Sequence, residues 1–185
     1  MSKTYQIQVV IAEIEPKIWR RLLVSSDTLL VDLHRILQTS FGWTNSHLHL
    51  FDNGLSTYSP MEFEVEETEN SRIVKLSTIL KRENFKVIYE YDFGDSWSHE
   101  ILLERIIEKD AEGQIPRCIA GERNSPPENC GGTTGYQELL KTISNKKHPD
   151  YKNMMQWLGG KFDPEGFDIE KINKKLKRKK IMRLS

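Results

Sequence analysis

Residues 85–108 read FKVIYEYDFGDSWSHEILLERIIE, and this stretch decides the fold. Phe85, Val87, Tyr89, Tyr91 and Phe93 recur at every second position, the period of a strand with one buried face. Gly94-Asp95-Ser96 supplies a tight turn and Trp97 to Glu108 returns, which predicts an antiparallel hairpin at the heart of a sheet. A slip of one residue would carry the whole aromatic set to the other face, so the register is strongly specified.

Working outward, Tyr5–Ile14 and Ile18–Val24 flank Glu15-Pro16-Lys17 and predict a second hairpin. His47–Phe51 and Met61–Glu67 read as further short strands, about five in all. Leu29, Leu30, Leu33, Ile36, Leu37 and Phe41 fall at helical spacing, with Ser26 or Asp27 as N-cap and Gly42 as the stop. Leu76–Leu80 reads as one helical turn. Residues 113–135 hold five glycines and three prolines, which predicts an irregular segment. Thr134 and Gln137 resemble a capping box for a helix to about Lys146, and Pro149 starts another through Leu158. Gly159-Gly160 ends that helix. Asp168 caps a basic last helix at 168–181, with Ile169, Ile172 and Leu176 inward. Strands precede helices without βαβ alternation. The expected fold is therefore α+β, a mostly antiparallel sheet with several helices packed against it, in a single domain over residues 1–185.

The 185 residues are 37% apolar and 29% charged, with a mean hydropathy of −0.57. That composition excludes collagen-like, low-complexity and disulfide-scaffold classes. Two cysteines suit a reducing compartment. The first residues lack a signal-peptide pattern, and no apolar run approaches the roughly 18 residues of a spanning helix. A cytoplasmic location without membrane contact is the expectation. The formal net charge is zero, but residues 171–185, KINKKLKRKKIMRLS, carry eight Lys or Arg and no acid. The other 170 residues carry 19 basic against 27 acidic side chains. Two readings stay open: weak nucleic-acid contact through Lys174, Lys175, Lys177 and Arg178, or a tail lying against its own acidic body.

Several unusual strings share the chain. They are PKIWRRLLV (16–24), LHRILQTSFGW (33–43), HLHLF (47–51), YEYDFGDSWSHEILLE (89–104), PRCIAGERNSPPENCGGTTGY (116–136) and FDPEGFDIEKIN (162–173). In this order and spacing the sequence resembles the Ri-plasmid ORF-3-like family, also described as insertion-element passenger proteins of TnpR type. The resemblance spans nearly the whole chain and implies an α+β single domain associated with mobile elements. It transfers no catalytic residue, and no residue pattern here supports a recombinase. The family's usual cysteine before the Pro-Pro pair is replaced by Ser125.

Five groupings of residues have chemistry to offer. Asp92, Asp95, Trp97 and His99 surround the hairpin corner, either as a metal or acid–base group or as a turn capped by its own aspartates. His47 and His49 lie two apart on an expected strand; with His99 they are candidate ligands for a divalent metal, or else stacked cross-strand side chains. His34 reads as a core histidine. Cys118 and Cys130 are candidates for a ligand site, or small apolar anchors of the irregular segment. Gly131 to Gly135 precede a helix and offer backbone N–H groups to an anion, or simply let the loop turn. Glu62, Glu64 and Glu66 would share one strand face. Two function classes follow: a non-enzymatic binding module with a polar-aromatic ligand site, serving a mobile element, or a small metal-dependent, hydrolase-like enzyme.

Overall fold

A computed structural model describes residues 2–108 and 114–177. Its centre is one sheet of eight strands. β1 (Thr4–Ile11) and β2 (Trp19–Ser25) form the N-terminal hairpin; β3 (His49–Asp52), β4 (Thr57–Ser59) and β5 (Thr68–Asn70) are short. β6 (Lys86–Tyr91), β7 (Trp97–Ile107) and β8 (Arg117–Glu122) complete it. The order across the sheet is β5-β4-β3-β6-β7-β1-β2-β8. Every neighbouring pair is antiparallel except β4 with β5.

The decisive stretch folds as expected. β6 and β7 pair with Tyr89 opposite His99 and Tyr91 opposite Trp97, and they lie in the middle of the sheet. Alternation carries Tyr89, Tyr91, Trp97 and Ile101 to a buried face, joined there by Ile7, Val9 and Ile11 of β1. Phe93 stands at the corner rather than in the strand and is partly exposed. α1 (Leu30–Phe41) places Leu30, Leu33, Ile36, Leu37 and Phe41 in the same hydrophobic cluster. On the other face, Gln6, Gln8 and Val10 are only half-buried. α2 (Leu76–Ile79), α3 (Gly132–Ser144), α4 (Tyr151–Trp157) and α5 (Ile169–Leu176) complete the described helices, of which none is long and apolar enough to cross a membrane.

Several local expectations are corrected. The sheet has eight strands rather than about five, because β4 and β5, at one end of the sheet, are only three residues each in polar sequence, and β8 crosses the stretch expected to be irregular. Met61–Glu67 is not a strand. Met61–Phe63 make a 3₁₀ turn and Glu64 is left-handed at φ 52°, so Glu62, Glu64 and Glu66 share no strand face. Glu62 pairs with Arg72 instead. α1 begins after Leu29 without a side-chain cap; the Ser26 hydroxyl accepts from the Lys3 N–H. α3 starts at Gly132, with Gly131 at φ 89° in the N-cap position, so Thr134 lies inside the helix and forms no capping box. Asp168 does cap α5, its Oδ1 accepting from the Lys171 N–H at 2.8 Å. The expected continuation to residue 181, with Arg178, lies outside the described residues.

Candidate functional site

At the hairpin corner, Asp92 adopts φ 61° and its Oδ1 accepts from the N–H groups of Gly94 and Asp95. This is the Asx-turn chemistry that short carboxylates favour. Its Oδ2 lies 3.4 Å from His47 Nε2. Asp95 reaches the other way, and its Oδ2 accepts from the Gly131 N–H at the start of α3. A Cβ on Gly132 would sit 2.5 Å from the Asp95 carbonyl oxygen, and one on Gly135 would sit 1.9 Å from that of Cys130. Gly132 is thus required by close packing on the corner, and Gly135 by the close approach of the Cys130 backbone. The corner therefore adjoins His47 and the Cys130–Gly132 turn, while Trp97 and His99 lie fully buried beneath it.

The histidines do not gather. β3 begins at His49, so His47 stands before the strand and not on one face with it. β6 separates β3 from β7, which puts about 10 Å between the strands of His49 and His99. Among the described residues no three His, Cys, Asp or Glu side chains come together to hold a metal ion. His49 stacks instead on His34 of α1, ring centres 3.4 Å apart. His34 belongs to a closed ring of hydrogen bonds. Gln38 donates to the Tyr89 hydroxyl, which faces His34 Nδ1 at 2.8 Å; His34 Nε2 faces Asn45 Oδ1, and the Asn45 N–H returns to Gln38 Oε1. Because Asn45 Oδ1 only accepts, the His34 proton resides on Nε2. His99 Nδ1 donates to the carbonyls of Trp97 and Tyr89, and its Nε2 has no hydrogen-bond partner among the described residues. Burial pushes His34 and His99 down to about 4.

Cys118 and Cys130 are free thiols that burial pushes up, Cys130 to about 12. Both are therefore poor nucleophiles at neutral pH. Cys118 lies on β8, where its backbone N–H and C=O are both taken by the Asn173 side chain of α5.

A cleft of about 770 Å³ lies beside this set, between the end of α1, the Asn124–Asn129 segment and the α4–α5 region. Trp43, Trp157, Phe162 and Phe167 supply its aromatic surface. Trp43 joins the cleft to the hairpin corner: it stacks on Tyr91, meets His99 edge-on, and donates its indole N–H to the Pro126 carbonyl. Glu128 is fixed by the Tyr91 hydroxyl and by Thr44. Burial raises the Glu128 carboxyl, but those hydrogen bonds outweigh it and hold the group below the usual range.

Arg20 forms one wall. It occupies an inward position of β2, 3% exposed, with its guanidinium carbon 5.1 Å from the Phe41 ring centre and 4.9 Å from that of Phe167. It donates to the carbonyls of Ser40, Trp19 and Glu122 and to the Ser125 hydroxyl, with no carboxylate partner among the described residues. Burial lowers it to about 10. Gly121 of β8 seats Phe167, since a Cβ there would lie 2.7 Å from both that ring and the Trp19 carbonyl. The sequence reading missed Arg20, Trp43, Phe167 and Lys171. Its available signal was an arginine in register with Ile18, Leu22 and Val24 on an otherwise apolar face.

The chain as a whole is similar to known proteins. The model for the plasmid pRiA4b ORF-3-like protein matches residues 3–171. The uncharacterised protein y4hQ of Sinorhizobium fredii (strain NBRC 101917 / NGR234) is 31% identical over 180 residues, covering 94% of this chain and 91% of the relative. The crystal structure of a protein of unknown function, MM3350 from Methanosarcina mazei Go1, superposes with a TM-score of 0.82 at 33% identity. That match covers 92% of this chain and 97% of the other.

Proposed function

The chain belongs to the plasmid pRiA4b ORF-3-like family, and we propose that it is a non-enzymatic binding module whose ligand occupies the cleft bounded by Trp43, Trp157 and Phe167. The observation that carries this reading is the cleft itself: its volume of about 770 Å³ falls in the range of small-molecule sites, and its surface joins aromatic rings to a few fixed polar groups. Asp92, Asp95, Trp97, His99 and Cys130 serve this site indirectly, as the packed corner that holds Trp43 and the 124–131 segment in place. Cys118 serves it through Asn173, by seating α5. Binding is favoured over catalysis because both thiols are held protonated and His34, His49 and His99 are buried in the core, outside the lining of the cleft. Association with mobile elements is supported by the plasmid origin in the family's description.

A direct test uses 1-anilinonaphthalene-8-sulfonate, whose fluorescence rises in an apolar site. We expect one saturable binding event on the native protein. Trp157→Ala, at a half-exposed position on α4, should weaken it about tenfold while leaving the melting curve unchanged. Equal binding by the variant would place the dye elsewhere and remove the support for this cleft.

A second reading concerns α5. Lys174, Lys175 and Lys177 are exposed, and among the described residues none reaches a carboxylate. This favours weak, sequence-independent contact with nucleic acid over a helix paired to its own acidic body.

A further inference from the structure

We propose that the cleft selects ligands carrying an oxyanion, a carboxylate or a phosphate, joined to a flat apolar body, and that Arg20, Ser125, Lys171 and Lys175 hold the anionic end. This inference rests on the cleft being the binding site and adds the chemistry of its occupant.

The argument begins with the donors of Arg20. A guanidinium has five N–H donors. Nε uses one on Ser40, Nη1 uses two on Trp19 and Glu122, and Nη2 uses one on Ser125. The second Nη2 hydrogen has no partner among the described residues. Ser125 accepts from Arg20 at 3.2 Å, which leaves its own O–H to donate. Two donors thus stand side by side in the wall of a cleft, both on side chains that are almost fully buried.

The charge balance points the same way. A buried cation costs heavily unless something compensates it. Carbonyl groups and two ring faces soften the Arg20 charge but do not neutralise it. Lys171 and Lys175, one turn apart on α5, line the same cleft and are exposed. Two carboxylates also line it, but both are engaged: Glu128 by Tyr91 and Thr44, Asp168 by the N-terminus of α5. Those hydrogen bonds come from neutral donors and leave both carboxylates charged, so the cleft sets three cations against two anions, and its excess positive charge is answered by no group of its lining. An incoming anion would answer it, with Phe167 and Trp43 bounding the space for the group attached to it.

The test displaces bound 1-anilinonaphthalene-8-sulfonate with benzoate, phenyl phosphate, inorganic phosphate and benzyl alcohol. We expect benzoate or phenyl phosphate to compete at least tenfold better than benzyl alcohol, and to do so less well as salt is raised. The better of the two identifies the oxyanion, and weak competition by inorganic phosphate alone shows that the flat body is needed. Lys171→Ala with Lys175→Ala, both at exposed positions, should weaken the anions about tenfold and leave benzyl alcohol unchanged. Ser125→Ala should weaken them several-fold without loss of fold. Equal competition by benzyl alcohol would overturn the anion preference while leaving the cleft reading intact. So would anion affinity unchanged in both variants. Loss of dye binding in Trp157→Ala is the separate check on the cleft reading itself.

Discussion

His49 is the residue at which the core stores most polar tension. It is 2% exposed, both ring nitrogens lack partners among the described residues, and it lies face to face with His34 and edge-on to Phe63. Burial, aided by the positive field of His34 and Arg35, pushes it down to about 2, and burial holds His34 and His99 down to about 4. In the unfolded chain each imidazole takes its proton near 6.5. Below that pH the unfolded state binds protons that the folded state does not, so stability is full above about pH 6.5 and falls as pH drops. The loss approaches about 1.4 kcal/mol per pH unit for each of the three histidines, down to about pH 4 for His34 and His99. His49→Phe removes one of the three and replaces an unsatisfied imidazole with an apolar ring of similar shape. Urea unfolding between pH 6 and 5 should lose about a third of its pH slope, and stability at pH 7 should hold or rise by about 1 kcal/mol. An unchanged slope would show that His49 titrates normally in the fold.

At the scale of elements, what the sequence made legible and what it hid divide along one physical line. β6, β7, α1 and the Asp168 cap of α5 were readable because their signals are local: alternation, helical spacing, an acceptor just before a helix. β8 was not. Its burial is irregular and its pairing depends on β2, more than ninety positions earlier, with a bulge between Arg21 and Leu22. The start of α3 is hidden for a related reason. Its anchor comes from another element, because Asp95 of the hairpin corner accepts the Gly131 N–H where a capping box was expected. Of the cleft, only the segment before Cys130 and Lys175 are visible in the sequence; Arg20, Trp43 and Lys171 become site residues through contacts across the chain. The cross-element anchor is testable. A carboxylate at a helix N-terminus is worth about 1 kcal/mol, so Asp95→Ala should lower stability by about that amount, and Asp95→Asn by less. Thermal melts of the three proteins settle it, and an unaffected Asp95→Ala would show that the corner does not hold α3.

Across the whole molecule, the hydrophobic cluster runs from Tyr5 of β1 to Leu176 of α5, so the basic C-terminal helix is part of the packed body and not an appendage. Leu176 is buried, Ile169 and Ile172 pack against the core, and Asn173 binds the backbone of the β8 edge with both ends of its amide. That docking turns Lys174 and Lys177 to solvent. The result is an asymmetric particle with cations concentrated on and after one helix and acids spread over the remainder. Phosphate contacts release counterions, so any nucleic-acid affinity should fall steeply with salt and depend little on sequence. The decisive variant reverses Lys174, Lys177 and Arg178 to Glu and spares Lys175, which faces the cleft. These side chains carry no packing load at positions 174 and 177, so the melting temperature should change little. Retention on immobilised DNA at low salt should drop at least tenfold, and the wild-type protein should elute as salt is raised. Retention that survives both the reversal and the salt would place the contact elsewhere; a marked loss of stability on reversal would instead show that the helix answers the charge of its own acidic body.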